Sequence, residues 1–182
     1  MNPDNAFEIM PFALSLSKGS QGFDKLSPNG VNEQSPMNIT PRLALGLGCD
    51  RGTPLATVQA CVQQALALIG AGPQQVVAVA TIAAKADEAA FLALAAQQGW
   101  SVRHYTAAQL AAVPVPNPSD TVLRYMGTPS VSEAAALLAA GADMTALLVE
   151  KHKWRGADGK NATVSIARVP ASLAVPVSVS PC

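Results

Sequence analysis

The sequence predicts an α/β fold: a single compact domain in which a mixed or largely parallel sheet is flanked by helices. Between about residues 42 and 168, short apolar runs alternate with longer amphipathic stretches, which is typical of strands separated by helices. Apolar residues make up 49% of the 182-residue chain and charged residues 13%, so the chain can bury a sizeable core. No internal repeat is visible, and the length suits one domain.

The charge balance and the cysteines exclude several classes of protein. Twelve basic residues offset twelve acidic ones, whereas proteins that bind nucleic acid usually carry a basic excess. No apolar run approaches the roughly 18 residues that a membrane span needs. The cysteines Cys49, Cys61 and Cys182 are not spaced as zinc ligands, and an odd, scattered set is typical of a reducing compartment. We therefore expect a cytoplasmic protein without a metal site or cofactor, and without a nucleic-acid or membrane partner.

The two ends of the chain differ in composition from the middle. Residues 1–40 contain Pro, Ser, Asn and Gly without sustained periodicity, and we expect a flexible extension. The strings FALSLSKG and FDKLSPNG resemble translated repeat DNA, so this extension is either a true arm or the product of a misassigned start, with Met37 as the alternative start. Residues 169–182 are rich in Pro, Ser and Val, carry no charge and are expected to form a flexible tail. The α/β domain is predicted over 41–168.

The first elements of the domain follow from alternation and capping signals. Leu43, Leu45 and Leu47 alternate with small residues and end at Gly48, which predicts a buried strand. Next comes a predicted helix with Thr53 as N-cap and Pro54 at its first position, and it ends at Gly70.

The middle of the domain repeats the same pattern. The apolar run Val76–Ala80 predicts a core strand, and a helix is predicted over Asp87–Gln98, with acidic residues in its first turn. Val102–Tyr105 is a short third strand candidate. A stiff, proline-rich loop over 113–120 follows it.

The last elements are two helices and two strands. Ser119 is predicted to cap a short helix that ends near Met126. Ser130 and Glu133 have the spacing of a capping box, which predicts a longer helix ending at Gly141. Two further strands are predicted, over 146–149 and 163–167.

The segment Gly46–Pro54 connects the first strand to the first helix. Its glycines let the backbone approach a ligand closely, Arg51 offers paired donors, and Thr53 opens a helix whose N–H groups attract anions. It lacks the residues of a Walker loop or a dinucleotide fingerprint. The alternative is an ordinary tight turn. Cys49 is either a nucleophile or a small buried apolar residue, and no histidine near it in sequence supports the first role.

The segment Thr81–Glu88 follows the second strand. Lys85 lies beside Asp87 and Glu88, so it could bind an anion or, if desolvated, take part in acid–base chemistry. The alternative is a surface salt bridge at a helix start. In the proline loop, Asn117 between two prolines is either a wall that shapes a substrate site or part of a rigid linker.

The segment Glu150–Gly156 carries several cationic side chains around one aromatic ring. Lys151 and Lys153 can pair with carboxylates, and Trp154 offers a flat apolar face. The combination suits a large, flat, polyanionic ligand. Nucleic acid is a second possibility, which the neutral net charge disfavours, and a solvated lysine-rich hairpin turn is the third.

Five of these segments together resemble a known family over about 42–168. They are Gly48-Cys49-Asp50-Arg51-Gly52-Thr53, Ala80 to Glu88, Val115 to Ser119, Ser130 to Ala134, and Lys151-His152-Lys153. In this order they resemble the cobalamin-biosynthesis family that includes CobE and the C-terminal domain of CbiG. Asp50 departs from the family pattern, where a second basic residue is common, and nothing resembles the N-terminal part of full-length CbiG.

The resemblance implies a binding protein that carries a corrin-ring intermediate of the precorrin or hydrogenobyrinate type. The alternative that it implies is an enzyme, a precorrin lactone hydrolase that releases acetaldehyde, with Lys85, Asp87 and Glu88 as the catalytic set. A third possibility is a scaffold for other cobalamin pathway enzymes. The expected ligand-binding residues are Gly48, Cys49, Arg51, Gly52, Thr53, Thr81, Lys85, Asn117, Ser119, Ser130, Lys151, Lys153 and Trp154.

Overall fold

The computed structural model describes residues 40–171, which form five strands and five α-helices. The predicted extension, apart from Thr40, and the predicted tail beyond residue 171 lie outside the described residues. In chain order the elements are β1 (Leu43–Cys49), α1 (Leu55–Ala67), β2 (Val76–Ile82), α2 (Ala89–Gln98), β3 (Val102–Tyr105), α3 (Ala107–Ala111), α4 (Asp120–Met126), α5 (Val131–Ala140), β4 (Leu147–Arg155) and β5 (Asn161–Arg168).

The five strands form one mixed sheet in the order β3-β2-β1-β5-β4. β1, β2 and β3 are parallel, while β5 runs antiparallel to β1 and β4 runs antiparallel to β5. The carboxyl ends of β1 and β2 therefore lie at the same edge of the sheet as the start of β5 and the end of β4. This arrangement confirms the predicted α/β class and the mixed sheet.

The residues of β1 divide the core into two layers. Leu43, Leu45 and Leu47 face α1 and α2, where they join a core of large apolar side chains. The alternate residue Ala44 faces α5 and packs in a second core that is rich in alanine. Because side chains alternate between the two faces of a strand, this one heptapeptide supplies both layers.

Gly46 allows α5 to lie directly against the sheet. A Cβ atom at this position would stand 1.8 Å from the carbonyl oxygen of Ser132 and 2.6 Å from the amide nitrogen of Ala136. Both atoms belong to the α5 backbone, which cannot yield as a flexible side chain can. The absence of a side chain at Gly46 thus sets the distance between α5 and β1, and with it the position of the α5 N-terminus.

Of the predicted helix starts, the Thr53 cap is wrong, the Ser119 cap is confirmed, and Ser130 begins α5 without the predicted capping box. Helix α1 begins at Leu55, and the Thr53 hydroxyl donates to the Asp50 carbonyl at 2.8 Å instead of capping the helix. Ser130 is the N-cap residue of α5, as predicted, but its side chain makes no cap bond and the Glu133 carboxylate is engaged by Asn117, so the capping box does not form. Ser119 does cap α4, since its Oγ accepts from the Val122 amide at 3.4 Å.

The boundaries of several elements also differ from the prediction. The cationic segment from Glu150 onward belongs to β4, which extends to Arg155, and the hairpin turn follows at 156–160. A strand was not expected there because lysines have no strong strand propensity, whereas pairing with β5 stabilises the extended form. Helix α3 was missed, although Thr106 and Gln109 form a capping box at its start.

Gly46→Ala is expected to lower the free energy of unfolding by about 1–3 kcal/mol or more, because the new methyl group forces α5 away from β1. The matched control is Gly48→Ala, where the nearest atom to a new Cβ is the Thr163 Cβ at 3.9 Å. Urea unfolding followed by circular dichroism measures both variants. Equal stability of the two would contradict the close approach.

Candidate functional site

A cavity of about 600 Å³ lies at the sheet edge where β1 and β2 end, on the face that carries α5. In open α/β sheets this edge commonly holds ligands, because loops and helix N-termini converge there. The cavity is lined by Gly48, Cys49, Asp50, Arg51, Ile82, Lys85, Ser119, Thr121, Val122, Tyr125, Met126, Ser130, Val131, Ser132, Lys151, Lys153, Asn161 and Thr163.

Eight of the predicted ligand-binding residues meet in this cavity although they come from five separate segments. They are Gly48, Cys49, Arg51, Lys85, Ser119, Ser130, Lys151 and Lys153. The pairing of strands explains part of this convergence, since Gly48 of β1 lies opposite Thr163 of β5, which lies opposite Lys153 of β4. The sequence-distant cations therefore share one hollow.

Strand alternation decides which residues of the cationic segment reach the cavity. Lys151 and Lys153 lie on the α5 face of β4 and line the cavity. His152 lies on the opposite face, where its Nε2 is 3.3 Å from Oε1 of Gln64 on α1. Trp154 has the same parity as His152 and is not among the lining residues, so the structure does not bring it to the site with the lysines.

Helix α4 supplies the apolar wall instead. Val122, Tyr125 and Met126 line the cavity from one side of this helix. The Tyr125 side chain is 83% exposed, so its ring is free to cover a ligand at the cavity mouth. The sequence signal for this wall was the spacing of the three residues, which places them on one helical face.

Arg51 is held at the rim by the loop that follows β2. Its Nη1 contacts Oδ1 of Asp87 at 2.6 Å, and its Nη2 donates to the Ala84 carbonyl at 3.2 Å. The hydrogen bond from Arg51 lowers the pKa of Asp87, so this carboxylate stays ionised at neutral pH. Both side chains are largely exposed.

Glu88 is a buried carboxylate that anchors the same region. It is 3% exposed, and its Oε1 accepts from the Gly52 amide at 2.9 Å. Its Oε2 accepts from Lys85 Nζ at 3.2 Å and lies 3.7 Å from Arg51 Nη1. Glu88 thus fixes Lys85, whose side chain is only 11% exposed, in the cavity wall.

A second buried carboxylate, Glu133, organises the opposite wall. Its side chain is fully buried, its Oε1 accepts from Asn117 Nδ2 at 2.8 Å, and its Oε2 lies 3.5 Å from Lys151 Nζ. Asn117 Nδ2 also donates to Oε2 of Glu150 at 2.8 Å. Lys151 Nζ donates in turn to the Asn117 carbonyl at 2.7 Å. Asn117 therefore ties the proline loop to Lys151, while its own side chain lies outside the cavity lining.

These contacts change the electrostatic character that the sequence suggested. Arg51, Lys85 and Lys151 each face a carboxylate, and only Lys153 among the four predicted cations has no ion pair within residues 40–171. The cations are thus oriented by acids of the same chain. Their remaining N–H donors are available to the cavity, because an ammonium group carries three and a guanidinium five.

The Cys49 thiol lines the cavity in a half-buried position. Burial is the main cause that raises its pKa to about 11, against the opposing effect of Lys85. The group is therefore a protonated thiol at neutral pH, and a nucleophile needs the thiolate. This agrees with the interpretation of Cys49 as a small apolar residue.

Five further predicted residues lie near the cavity without lining it. Thr81 is fully buried, and its Oγ1 donates to the Leu47 carbonyl at 2.8 Å, while Gly52 and Thr53 brace the first loop. Asp87 and Glu88 belong to the ion pairs behind the rim.

Asp50 and Asn161 were missed by the sequence interpretation. Asp50 Oδ2 accepts from both the backbone amide and Nδ2 of Asn161, each at 2.8 Å. This contact joins the end of β1 to the start of β5 at the cavity lining.

Within residues 40–171, no three His, Cys, Asp or Glu side chains lie close enough together to hold a metal ion. Among the helices of that same range, none has the length and apolar character that crossing a membrane would need.

Comparisons with known proteins agree with the fold. The family model described as "Cobalamin synthesis G C-terminus" matches residues 43–167. The chain is 37% identical over 128 residues to the cobalt-precorrin-5A hydrolase of Priestia megaterium, a match that covers 70% of this chain but 32% of the hydrolase. It is 38% identical over 126 residues to Protein CobE of Sinorhizobium sp, covering 68% of this chain and 81% of that protein.

Among solved structures, the chain resembles the 1.7 Å crystal structure of CobE, described as a protein from the cobalamin (vitamin B12) biosynthetic pathway. The TM-score is 0.59 at 31% identity, and the match covers 75% of this chain and 96% of that one.

Glu88→Ala is expected to lower the free energy of unfolding by about 3 kcal/mol, because it leaves the Gly52 amide and the sheltered Lys85 ammonium without their acceptor. Glu88→Gln keeps an acceptor for Gly52 and is expected to lose less. Asp87→Ala, which removes an exposed acid, is the control and should change the stability little. Urea unfolding measures all three, and a loss in Glu88→Ala no greater than in Asp87→Ala would contradict the anchoring role.

Proposed function

The chain belongs to the family described as "Cobalamin synthesis G C-terminus", and from this membership we propose that it binds a corrin-ring intermediate of cobalamin biosynthesis in the cavity beside α5. In this role it is a carrier or helper that shelters a precorrin- or hydrogenobyrinate-type ligand. The single observation that carries the proposal is the convergence of Arg51, Lys85, Lys151 and Lys153 on one hollow.

The chemistry of the cavity matches such a ligand. A corrin macrocycle is flat and apolar at its centre and carries carboxylates at its periphery. The wall of α4, with Val122, Tyr125 and Met126, suits the ring, and the cations suit its periphery. A volume of about 600 Å³ falls within the range of about 300–1,000 Å³ that is typical of small-molecule sites.

The ion pairs favour binding by preorganisation. Lys85 and Lys151 are largely buried and held by Glu88 and Glu133, so little side-chain entropy is lost when a ligand carboxylate approaches. A charge-assisted hydrogen bond contributes about 1.5–3 kcal/mol in a sheltered setting. Several such contacts on one rigid ligand support tight binding.

The distribution of acids favours a carrier over an enzyme. A hydrolase needs a base that can activate water near the bound ester. Of the carboxylates in the described chain, only Asp50 lines the cavity, and its Oδ2 is already occupied by Asn161. The acids expected for catalysis, Asp87 and Glu88, are engaged by Arg51 and Lys85 behind the rim.

The hydrolase alternative rests on a different observation, the similarity to the Priestia megaterium protein. That match spans 32% of the hydrolase, so most of that enzyme has no counterpart in the matched region. Under this alternative, Lys85, Asp87 and Glu88 would supply the base and its electrostatic partner, and acetaldehyde would be released.

Wild-type protein mixed with hydrogenobyrinate is expected to co-elute with the pigment in gel filtration and to shift its visible spectrum. Lys153→Met should weaken binding about threefold to fivefold, since the exposed Lys153 loses one charge-assisted contact worth roughly 0.5–1 kcal/mol. The matched control is Arg42→Met, which removes one positive charge at the opposite edge of the sheet and should bind like wild type.

Separate elution of pigment and wild-type protein would contradict the carrier role. Catalytic release of acetaldehyde from a precorrin lactone, abolished by Lys85→Met, would instead favour the hydrolase.

A further inference from the structure

We propose that the N-terminus of α5 is a subsite for one carboxylate of the ligand, with the Ser130 hydroxyl as its principal donor. This inference rests on the proposed function, and it names the atoms that recognise one acidic arm of the macrocycle. It is carried by a hydroxyl group that is buried at the cavity wall and has no partner.

Ser130 is 1% exposed, lines the cavity, and its Oγ forms no hydrogen bond to any residue within 40–171. A buried hydroxyl without a partner is unfavourable and uncommon. Its backbone is nevertheless held in place, because the Thr128 hydroxyl donates to the Ser130 carbonyl at 3.3 Å. The donor is therefore fixed in position and uncommitted.

The hydroxyl of Ser132, two residues further on, differs from that of Ser130 because it has a hydrogen-bond partner. Its Oγ lies 2.9 Å from Oγ of Ser165, which also contacts the Glu150 carbonyl oxygen. A carbonyl oxygen only accepts, so Ser165 donates its proton to it and Ser132 donates its own proton to Ser165. The Ser132 proton is thus committed to the fold.

The first turn of α5 offers further hydrogen-bond donors beside the Ser130 hydroxyl. The first N–H groups of an α-helix have no intrahelical partner, and the ten-residue α5 begins without a side-chain cap. Glu133 does not fill this role, because its two oxygens face Asn117 and Lys151. The ammonium of Lys151 lies beside the same helix start and lines the same cavity.

This set of groups selects a carboxylate over a neutral polar group. A hydroxyl donor, unpaired helix amides and an ammonium group all donate, and each favours a negative charge. An ester or a primary amide at the same place of the ligand would lose the charge and much of this interaction.

The test compares Ser130→Ala with Ser165→Ala by titrating hydrogenobyrinate and following its visible spectrum. Ser130→Ala should weaken binding tenfold or more without lowering Tm, because its hydroxyl stabilises nothing in the free protein. Ser165→Ala should lower Tm while its affinity stays within about threefold of wild type, because Ser165 is buried outside the cavity lining and its hydroxyl binds Ser132 and the Glu150 carbonyl. Wild-type affinity in Ser130→Ala overturns the subsite and leaves the proposed function intact.

A second measurement uses sodium propionate against sodium chloride at the same high concentration, with Tm as the readout. A ligand that binds the native state raises Tm, so propionate should stabilise the wild type relative to chloride, and Ser130→Ala should lose this difference. If wild-type protein fails to bind hydrogenobyrinate, the proposed function falls. The propionate experiment then tests the subsite independently. A higher Tm in propionate than in chloride for the wild type, but not for Ser130→Ala, supports the subsite. No such difference for the wild type overturns it.

Discussion

The site depends on the close packing of α5 against the centre of the sheet. Gly46 has no side chain that would separate them. Small residues on both elements pack in the contact, among them Ala44, Ala135 and Ala136. Interiors are packed to crystal-like density, so the short distance between backbones fixes the helix in register and orientation. The α5 N-terminus is thereby placed near the end of β1 and the start of β5, where the cavity forms.

The polar layer around the cavity follows from that placement. Glu133 in the first turn of α5 is fully buried, and a buried carboxylate is tolerated only when donors compensate its charge. Asn117 donates to one oxygen of Glu133, while the Lys151 ammonium compensates its charge as an ion-pair partner 3.5 Å from the other oxygen. Glu88 accepts from Gly52 and from Lys85. Two buried acids thus hold two lysines at the cavity wall.

The sequence predicted the parts of this architecture that depend on local pattern. Alternation in β1 and the apolar run of β2 gave the strands, and the cationic segments gave Arg51, Lys85, Lys151 and Lys153, which the fold brings together. Trp154 was grouped with the lysines because a loop was expected, and in a loop neighbours in sequence can share a site.

The segment instead pairs with β5 as a strand, and the alternation of side chains places Trp154 on the face opposite Lys151 and Lys153. The aromatic ring that lines the cavity is that of Tyr125 on α4. The role of Glu133 could not be predicted from the sequence either. Ser130 and Glu133 have the spacing of a capping box, and only the tertiary contact of Glu133 with Asn117 and Lys151 shows why the box is not formed.

The pairing of each cation with an acid of the same chain has a consequence for selectivity. A single carboxylate from solution gains little at Lys85 or Lys151, because Glu88 and Glu133 already satisfy much of each charge. A rigid macrocycle with several carboxylates loses its translational and rotational freedom once and then makes all the remaining contacts at high effective concentration. Under the proposed function, the internal ion pairs therefore make a single small acid a weak ligand that binds only at high concentration, and they favour a ligand whose acidic groups match the spacing of the lysines.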